Sequence, residues 1–528
     1  MTITRITQAN SERIEIDERR YRRVAVIDLG SNSARLIIMR TLPDRFYYLE
    51  DEIREVVRLR SGMTEAGLSK EAMARGVATL RMFNRFCESL AVDELIATTT
   101  SAVREAANRD EFLAKVASKV GLRLRVLSGE EEAYYGAIGA QNALPLNEGV
   151  VLDIGGGSAQ LSLIKAGRWQ TGQALTLGAL ALSERFVESD PPTRSEVRRI
   201  RKEVRRQLHE IPWLNEASPT VIGLGGTLRN LARVTIRHRK LPLGTVNGYL
   251  LRDDEIKYLV KRFRKLPLNR RQRLAGLSSD RADIIMAGAI VAQEVLRWLG
   301  ANGMRVATYG LREGLFFEEF WAALDYPVPD DLRESHVRNV ALRYNYHATH
   351  AAHVQRLALR LFDDLAALHG ADARERQWLA AAATLHDIGN AINYEDHHKH
   401  SQALILGNGL PAFGPEEVAM IALMSRYHRR GRPKLHGFDP LFDNPAVAVQ
   451  RLRQLAGMLR VAEFLERSRA GLVTDLRVEW DESDITIQLI GEERPVVEMW
   501  DAGRKGVDLM EEAFGRTVHL RYDGEAWA

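Results

Sequence analysis

The sequence has little of what marks a secreted, membrane-bound or fibrous protein. It holds a single cysteine, Cys87, in 528 residues, which excludes an internal disulfide framework and fits a reducing compartment. The flanks "FNRFCESL" read as helix, so a buried, unreactive thiol is expected there. No apolar run approaches the roughly 18 residues that a membrane helix needs. The opening "MTITRITQANSERIEIDERRYRR" is charged and has no apolar centre, so it reads as neither signal peptide nor anchor. Neither sign of charge dominates, with 74 Lys and Arg against 70 Asp and Glu. An anionic partner must then be met by local clustering, and the balance gives no sign of nucleic acid. A soluble, cytoplasmic, globular protein is expected, too long for one core and divided into three or four domains.

What is present, first, is a repeat. "VAVIDLGSNSARLII" begins at Val24 and "VVLDIGGGSAQLSLI" at Val150. Setting Asp28 on Asp153, an offset of 125, also sets Gly30 on Gly155, Ser33 on Ser158, Ala34 on Ala159 and Leu36 on Leu161. A strand, an Asp-x-Gly turn and a second strand therefore occur twice in one register. Around them, apolar strands alternate with helical periodicity. Helices are expected in "SKEAMARGVATLRMFNRFCESL", "RDEFLAKVASKV", "EEEAYYGAIGAQNA" and "RADIIMAGAIVAQEVLRWLG". Strands are expected in "ELIATTT", "LRLRVLS", "GRWQTGQALTL" and "TVIGLGG", the last leading into a helix near Thr227. The alternation predicts two α/β domains of one architecture facing each other across a cleft, residues 21–145 and 146–325, after a flexible segment 1–20.

Beyond Tyr326 the prolines of "DYPVPDDLRESH" break the pattern. Residues 326–471 read as helical throughout, and eleven of the fourteen histidines lie between His336 and His436. Strand alternation returns in 472–528, with a hairpin turn in "EWDESDIT" and a helix near "VDLMEEAFG", as a small α+β domain.

An aspartate at a strand end before a glycine-rich turn has a specific use. Glycine lets backbone N–H groups converge on an anion without a Cβ in the way, and the carboxylate holds a divalent cation that neutralises the same anion. A third glycine turn, "VIGLGGTLRN", places Gly225, Gly226 and Thr227 before a helix, where the macrodipole favours phosphate. Together these turns point to a polyphosphate-type ligand.

In "DLGSNSARL", "TTTSAVREAANRDEF", "SGEEEA", "DIGGGSAQL", "GLGGT" and "YGLREGL", the region from about Tyr21 to Phe320 resembles the exopolyphosphatase and guanosine pentaphosphate phosphohydrolase family. The resemblance implies an actin-like, ribonuclease H-like fold and removal of the terminal phosphoryl group of inorganic polyphosphate or guanosine pentaphosphate with a divalent metal, usually Mg²⁺. It implies that Gly155, Gly156, Gly157 and Ser158 form the central phosphate loop, with Asp153 as metal ligand. Asn32 and Ser33 match the first loop, Gly225, Gly226 and Thr227 the other, and Arg104 a phosphate-facing arginine. Glu132 matches the proposed general base, whereas Glu130 and Glu131 read as first-turn acids that complement the helix dipole. It also implies a homodimer. Where the family commonly has a glutamate that helps place metal or water, this chain has Gln160, which keeps a carbonyl acceptor but loses a charge.

The histidine-rich part resembles a second family, the HD metal-dependent phosphohydrolases. "YHATHAAHVQRLALRLFDDL" sets His347, His350 and His353 at spacings of three on a helix, and "LHDIGNAINYEDHHKHS" and "SRYHRR" follow. The resemblance makes His350 the first metal ligand, His386 with Asp387 the paired motif, and Glu463 a longer replacement for the usual late aspartate. His398, His400 and His428 are expected as secondary ligands or phosphate contacts, and His336 and His369 as ordinary polar residues. Two basic runs, "TRSEVRRIRKEVRRQLHE" and "KYLVKRFRKLPLNRRQRL", are candidate tracks for a long polyanion. The expected activity is that of an exopolyphosphatase. The alternatives are a guanosine pentaphosphate phosphohydrolase and a binding protein whose cleft Gln160 has weakened.

Overall fold

The computed structural model describes residues 21–42 and 46–522, with the backbone of 525–526. The expected segment 1–20 lies outside the described residues. Two compact units emerge, one ending at Leu332 and one beginning at Arg333. The division falls later than the prolines after Tyr326 suggest, because Tyr326 still belongs to the first unit. Its hydroxyl donates to Gln141 Oε1 at 2.6 Å and accepts from the Trp169 N–H at 3.0 Å.

In the first lobe of the first unit, β1 (Arg22–Leu29), β2 (Ala34–Leu42) and β3 (Phe46–Glu55) form an antiparallel meander. Next, β4 (Glu94–Thr99) and β5 (Arg125–Val126) add in parallel, giving the order β3-β2-β1-β4-β5. The second lobe repeats the plan with the meander β6 (Gly149–Ile154), β7 (Ala159–Lys165) and β8 (Arg168–Leu175). Here β9 (Val221–Leu224) and β11 (Gly303–Val306) add in parallel and β10 (Leu250–Arg252) adds an antiparallel edge, in the order β10-β11-β9-β6-β7-β8. This duplicated sheet with crossover helices is the actin-like, ribonuclease H-like architecture. The segment "LRLRVLS" contributes strand only at Arg125–Val126. The sequence pattern missed β3 because this edge strand, "FYYLEDEIRE", turns mostly charged residues to solvent.

The lobe helices are α1 (Lys70–Ser89), α2 (Ser101–Arg104), α3 (Arg109–Val120), α4 (Gly129–Ala143), α5 (Ala179–Phe186), α6 (Arg194–His209), α7 (Gly225–His238), α8 (Asp253–Phe263), α9 (Leu268–Arg271), α10 (Ile285–Leu299) and α11 (Leu311–Phe320). Cys87 is buried on α1, and burial pushes its thiol up to about 11, as expected of an unreactive cysteine. The small residues of α4 let it lie between the sheets. Tyr135 and Ile138 pack with Val24, Val26 and Phe316, while Ala137 and Ala140 pack with Val151 and Ile222. Where α4 crosses α11 the backbones touch. A Cβ on Gly139 would lie 2.2 Å from the Gly310 carbonyl oxygen, and one on Gly314 1.9 Å from that of Tyr135.

The second unit is built on α12 (Leu332–Arg343), α13 (Ala348–Asp364), α14 (Ala366–His369), α15 (Ala373–Leu385), α16 (His397–Asn408), α17 (Pro415–Tyr427) and α18 (Pro445–Phe464), followed by α19 (Val496–Asp501) and α20 (Asp508–Phe514). A sheet of β12 (Asp475–Trp480), β13 (Asp484–Ile490), β14 (Thr517–Tyr522) and β15 (Glu525–Ala526) closes it, and a hairpin joins β12 to β13. Helices and sheet share one core. Leu357 and Leu361 of α13, Leu455 and Leu459 of α18, and Ile485 and Ile487 of β13 are buried together. At roughly 1.5–3 kcal/mol for each fully buried aliphatic side chain, this contact is the main cohesion between the strands and the helices. Among the described residues, no helix is long and apolar enough to cross a membrane.

Candidate active site

The two Asp-x-Gly turns meet at a cleft in the first unit with a cavity of about 140 Å³. Each turn closes in the same way. The Gly30 N–H donates to the Ser33 carbonyl at 3.2 Å, and the Gly155 N–H to the Ser158 carbonyl at 3.0 Å. Register sets Asp28 opposite Arg35 and Asp153 opposite Gln160, so the place of glutamine in one lobe is taken by arginine in the other. The glycines serve close approach between the loops. A Cβ on Gly156 would stand 3.0 Å from Asn32 Cβ, and one on Gly157 2.6 Å from Ser31 Oγ.

Helix α7 begins at Gly225, two residues before the sequence pattern places it. Gly225 has φ +87°, and a Cβ there would lie 2.5 Å from Asp153 Oδ1, so only glycine meets both demands. No side chain caps this helix start, which leaves backbone donors at Gly225 and Gly226 for an anion. The Arg281 guanidinium lies across Gly226, 2.4 Å from where a Cβ would be.

Four arginines line the cavity: Arg35, Arg229, Arg281 and Arg312. Burial, then Arg312, Arg229 and Arg281, bring Arg35 down to about 8. Burial, then Arg54 and Arg229, bring Arg281 down to about 10. Arg312 is tied to Glu52 at 2.9 Å. Besides burial, the neighbouring guanidinium groups lower Arg35 and Arg281, and a bound anion would relieve that repulsion.

Opposite them stands Glu132. A capping box between Ser128 and Glu131 fixes the start of α4, and Glu131 also pairs with Arg125 at 2.5 Å. The next residue, Glu132, is turned inward and 6% exposed. Its carboxylate accepts from Arg104 and from the Gln160 side-chain amide, which also donates to Ser158 Oγ at 2.8 Å. Burial raises Glu132 to about 7 against the pull of Arg104, with Asp28 and Asp153 adding to the rise. Burial likewise raises Asp28 to about 6 against Arg312 and Arg35, and raises Asp153 against Arg229. Asp28 Oδ1 is buried with no hydrogen-bond partner among the described residues. Two carboxylates held at one cavity with an unpartnered oxygen between arginines suit a hard divalent cation with oxygen ligands.

Asn32, Ser33, Glu132, Asp153, Gly155, Gly156, Gly157, Ser158, Gln160, Gly225 and Gly226 all line this cavity. Arg104 and Thr227 do not. Arg104 reaches Glu132 and the Leu127 carbonyl, at 2.7 Å, from behind. Thr227 is buried in the first turn of α7 with its methyl facing Gly288. The sequence reading passed over Asp28, Arg35, Arg229, Arg281 and Arg312 as site residues. The repeat carried a signal for the first two, since the same offset of 125 joins Asp28 to Asp153 and Arg35 to Gln160, and Arg312 lies in "YGLREGL". Nothing in the sequence distinguishes Arg229 or Arg281. Part of the basic run on α6 is engaged in ion pairs. Arg201 and Arg205 pair with Glu294, and Arg206 with Glu203 and Glu210, and none of α6 lines the cavity.

Residues 37–322 match the model of the Ppx/GppA phosphatase family, and residues 332–494 that of Ppx/GppA phosphatase domain III. The chain belongs to the Ppx/GppA phosphatase family. Among solved structures, it is similar to the Aquifex aeolicus member of the Ppx/GppA protein family, with 28% identity over 57% of this chain and 99% of that one and a TM-score of 0.50. It is also similar to an exopolyphosphatase from Cytophaga hutchinsonii, with 27% identity over 57% of this chain and 98% of that one and a TM-score of 0.53. The chain is thus a phosphatase.

In domain III of this Ppx/GppA phosphatase the four residues singled out as ligands come together. Glu463 Oε2 lies 3.1 Å from His350 Nε2 and 3.0 Å from His386 Nε2, and Asp387 Oδ2 lies 3.9 Å from His350 Nε2. His428 joins them, with its Nε2 3.9 Å from Asp387 Oδ1. His347 and His353 do not. His347 caps α13 by accepting from the His350 N–H at 3.2 Å, and His353 bonds Glu466 at 3.0 Å and the Val473 carbonyl at 2.7 Å. His369 is an ordinary satisfied polar residue, bonded to the Phe362 carbonyl at 2.7 Å. The sequence reading named His398 and His400 but passed over their neighbour His397, whose Nε2 is 3.2 Å from Asp387 Oδ1. Three of these histidines follow one another closely, and only the helical phase of α16 decides which points inward.

Proposed function

We propose that this Ppx/GppA phosphatase removes the terminal phosphoryl group from inorganic polyphosphate. The observation that carries the reading is the buried Glu132 carboxylate, raised to about 7, facing two glycine loops and four arginines across one small cavity. As carboxylate, Glu132 takes a proton from the water that attacks the terminal phosphorus. The new P–O bond forms as the bridging P–O bond breaks, and the shortened chain leaves as an anion. The Gln160 amide and Arg104 aim the Glu132 carboxylate, so the glutamine acts as an orienting donor to the base. Gly155, Gly156, Gly157, Gly225 and Gly226 offer backbone N–H groups to the phosphate oxygens, and Arg35, Arg229 and Arg281 stabilise the charge that develops. Asp28 and Asp153 would hold Mg²⁺, which when bound neutralises charge on the bridging and terminal phosphates.

The polyphosphate reading is supported by the lining, which is mostly glycine, polar and charged residues with Tyr309 as its one aromatic, and so suits a chain of phosphates. The test compares phosphate release from long-chain polyphosphate and from guanosine pentaphosphate with Mg²⁺. A kcat/KM at least tenfold higher on polyphosphate supports the reading, and the reverse order assigns the nucleotide.

A further inference from the structure

The second basic run of the sequence, which begins on α8, has a different fate from the run on α6. Arg201, Arg205 and Arg206 of α6 meet acids of the protein itself. From the end of α7 through α8 and α9 there are few acids to meet. Between Arg233 and Arg273 the chain holds thirteen lysines and arginines against three acids, Asp253, Asp254 and Glu255. Arg239 pairs with Glu255 at 3.0 Å and Arg271 with Asp190 at 3.1 Å. Arg233, Arg237, Lys240, Lys257, Lys261 and Lys265 are all exposed and form no ion pair among the described residues.

The fold gathers several of these cations on one surface. Helix α8 buries Ile256, Leu259, Val260 and Phe263, and that stripe turns Lys257, Tyr258 and Lys261 to solvent, with Lys265 one turn further on. On α7, Arg233 and Arg237 stand one turn apart among exposed positions. The imidazole of His238, next to Arg237, stacks on the ring of Tyr258, with centroids 5.4 Å apart and planes 15° from parallel. This contact joins the end of α7 to the outer face of α8. Tyr258 is held flat by its neighbour and remains 45% exposed.

Three polyanions could be met by such a charge, and the aromatic pair decides between them. An unpaired base stacks on an exposed ring while cations on either side take the flanking phosphates. Inorganic polyphosphate supplies the phosphates but has no ring to lay on Tyr258. An anionic lipid surface calls for exposed apolar side chains between the lysines, and every aliphatic side chain of α8 is buried. We propose that this face of the second lobe binds single-stranded nucleic acid, with a base stacked on Tyr258 and phosphates on Arg237, Lys257, Lys261 and Lys265. The face is separate from the reaction proposed above, since none of these residues lines the cleft.

The test follows the fluorescence anisotropy of a labelled oligoadenylate of about 12 nucleotides, a length in the range of known single-strand sites. It is titrated with the full-length protein, with Tyr258→Ala and Tyr258→Phe, and with a Lys257→Glu, Lys261→Glu double variant, each shown to be folded by its circular dichroism melt. Expected is an affinity that falls with salt at a log–log slope of about −3, as four phosphate contacts give on a single strand. Tyr258→Ala should weaken binding about tenfold with the slope unchanged, and Tyr258→Phe, which keeps the ring, should restore it. The lysine variant should weaken binding at least tenfold and make the slope shallower. No binding at about 50 mM salt, or binding that none of the variants alters, would overturn the proposal. Binding weakened by the lysine variant but not by Tyr258→Ala would mark a site for phosphate alone, long-chain polyphosphate included, and would overturn it as well. So would retention on vesicles of anionic phospholipid by a protein that does not bind the oligoadenylate. Phosphate release in the cleft is a separate readout, so the failure of either proposal leaves the other standing.

Discussion

The side-chain amide of Gln160 donates to the carboxylate of Glu132, which makes this glutamine a neighbour of the acid proposed to act as base. A carboxylate in its place would face Glu132 directly, and two such groups share a proton. Gln160→Glu is therefore expected to move the acid limb of kcat/KM upward by about one pH unit at low Mg²⁺ and to tighten Mg²⁺ binding. Gln160→Ala, which frees Glu132 without adding charge, should lower kcat about tenfold and leave the limb in place. Rate profiles at two Mg²⁺ concentrations separate the two variants.

The unmodified protein should show its own acid limb. Glu132 must be ionised to accept a proton, and it is raised to about 7, so kcat/KM is expected to climb between pH 6 and 8 and to level off above. Mg²⁺ bound nearby favours the ionised form, so the limb should move to lower pH as Mg²⁺ increases. A profile flat from pH 5 to 8 at low Mg²⁺ would contradict this.

Asp28 links the site to stability. Its folded value of about 6 lies above the ordinary 3.8, so the folded state holds the proton more tightly than the unfolded chain does. This favours folding at low pH, and the benefit is lost as pH rises from about 4 to about 6. The difference amounts to roughly 3 kcal/mol. Asp28→Asn should therefore raise the thermal midpoint of the metal-free protein at pH 8 and change it little at pH 4. Equal effects at both values would show that the carboxylate's charge is not the cause.

The crossing of α4 and α11 leaves no room for side chains. Gly139→Ala would set a methyl 2.2 Å from the Gly310 carbonyl oxygen, and backbone cannot yield as a side chain does. A cost of about 1–3 kcal/mol is expected, read as a lowered thermal midpoint in denaturation followed by circular dichroism. An unchanged midpoint would mean that the helices separate freely.

The parts legible in the sequence were those carried by short-range pattern. The repeat that joins Asp28 to Asp153, the glycine turns and the buried helix of α10 are all written in consecutive residues whose types admit few conformations. The capping box at Ser128 and Glu131 likewise sits where a first-turn acid was expected. What escaped depends on chain segments far apart. Arg229 and Arg281 belong to a chain with 74 lysines and arginines, and only folding selects the few that enter the cleft. Edge strand β3 hides because half of its surface faces water. That His397 rather than the equally buried His398 reaches Asp387 is a matter of helix phase, which neighbouring histidines do not reveal.

The most direct measurement is single-turnover phosphate release from long-chain polyphosphate with Mg²⁺ at pH 8, comparing the unmodified protein with Glu132→Gln, alongside polyphosphate binding to both. Glutamine keeps the acceptor for Arg104 and the size of the side chain but takes no proton. Expected is a rate lowered by about 10²–10⁴ with binding retained. A Glu132→Gln protein that releases phosphate at the unmodified rate would contradict the assignment of Glu132 as the base and move the chemistry elsewhere in the cleft.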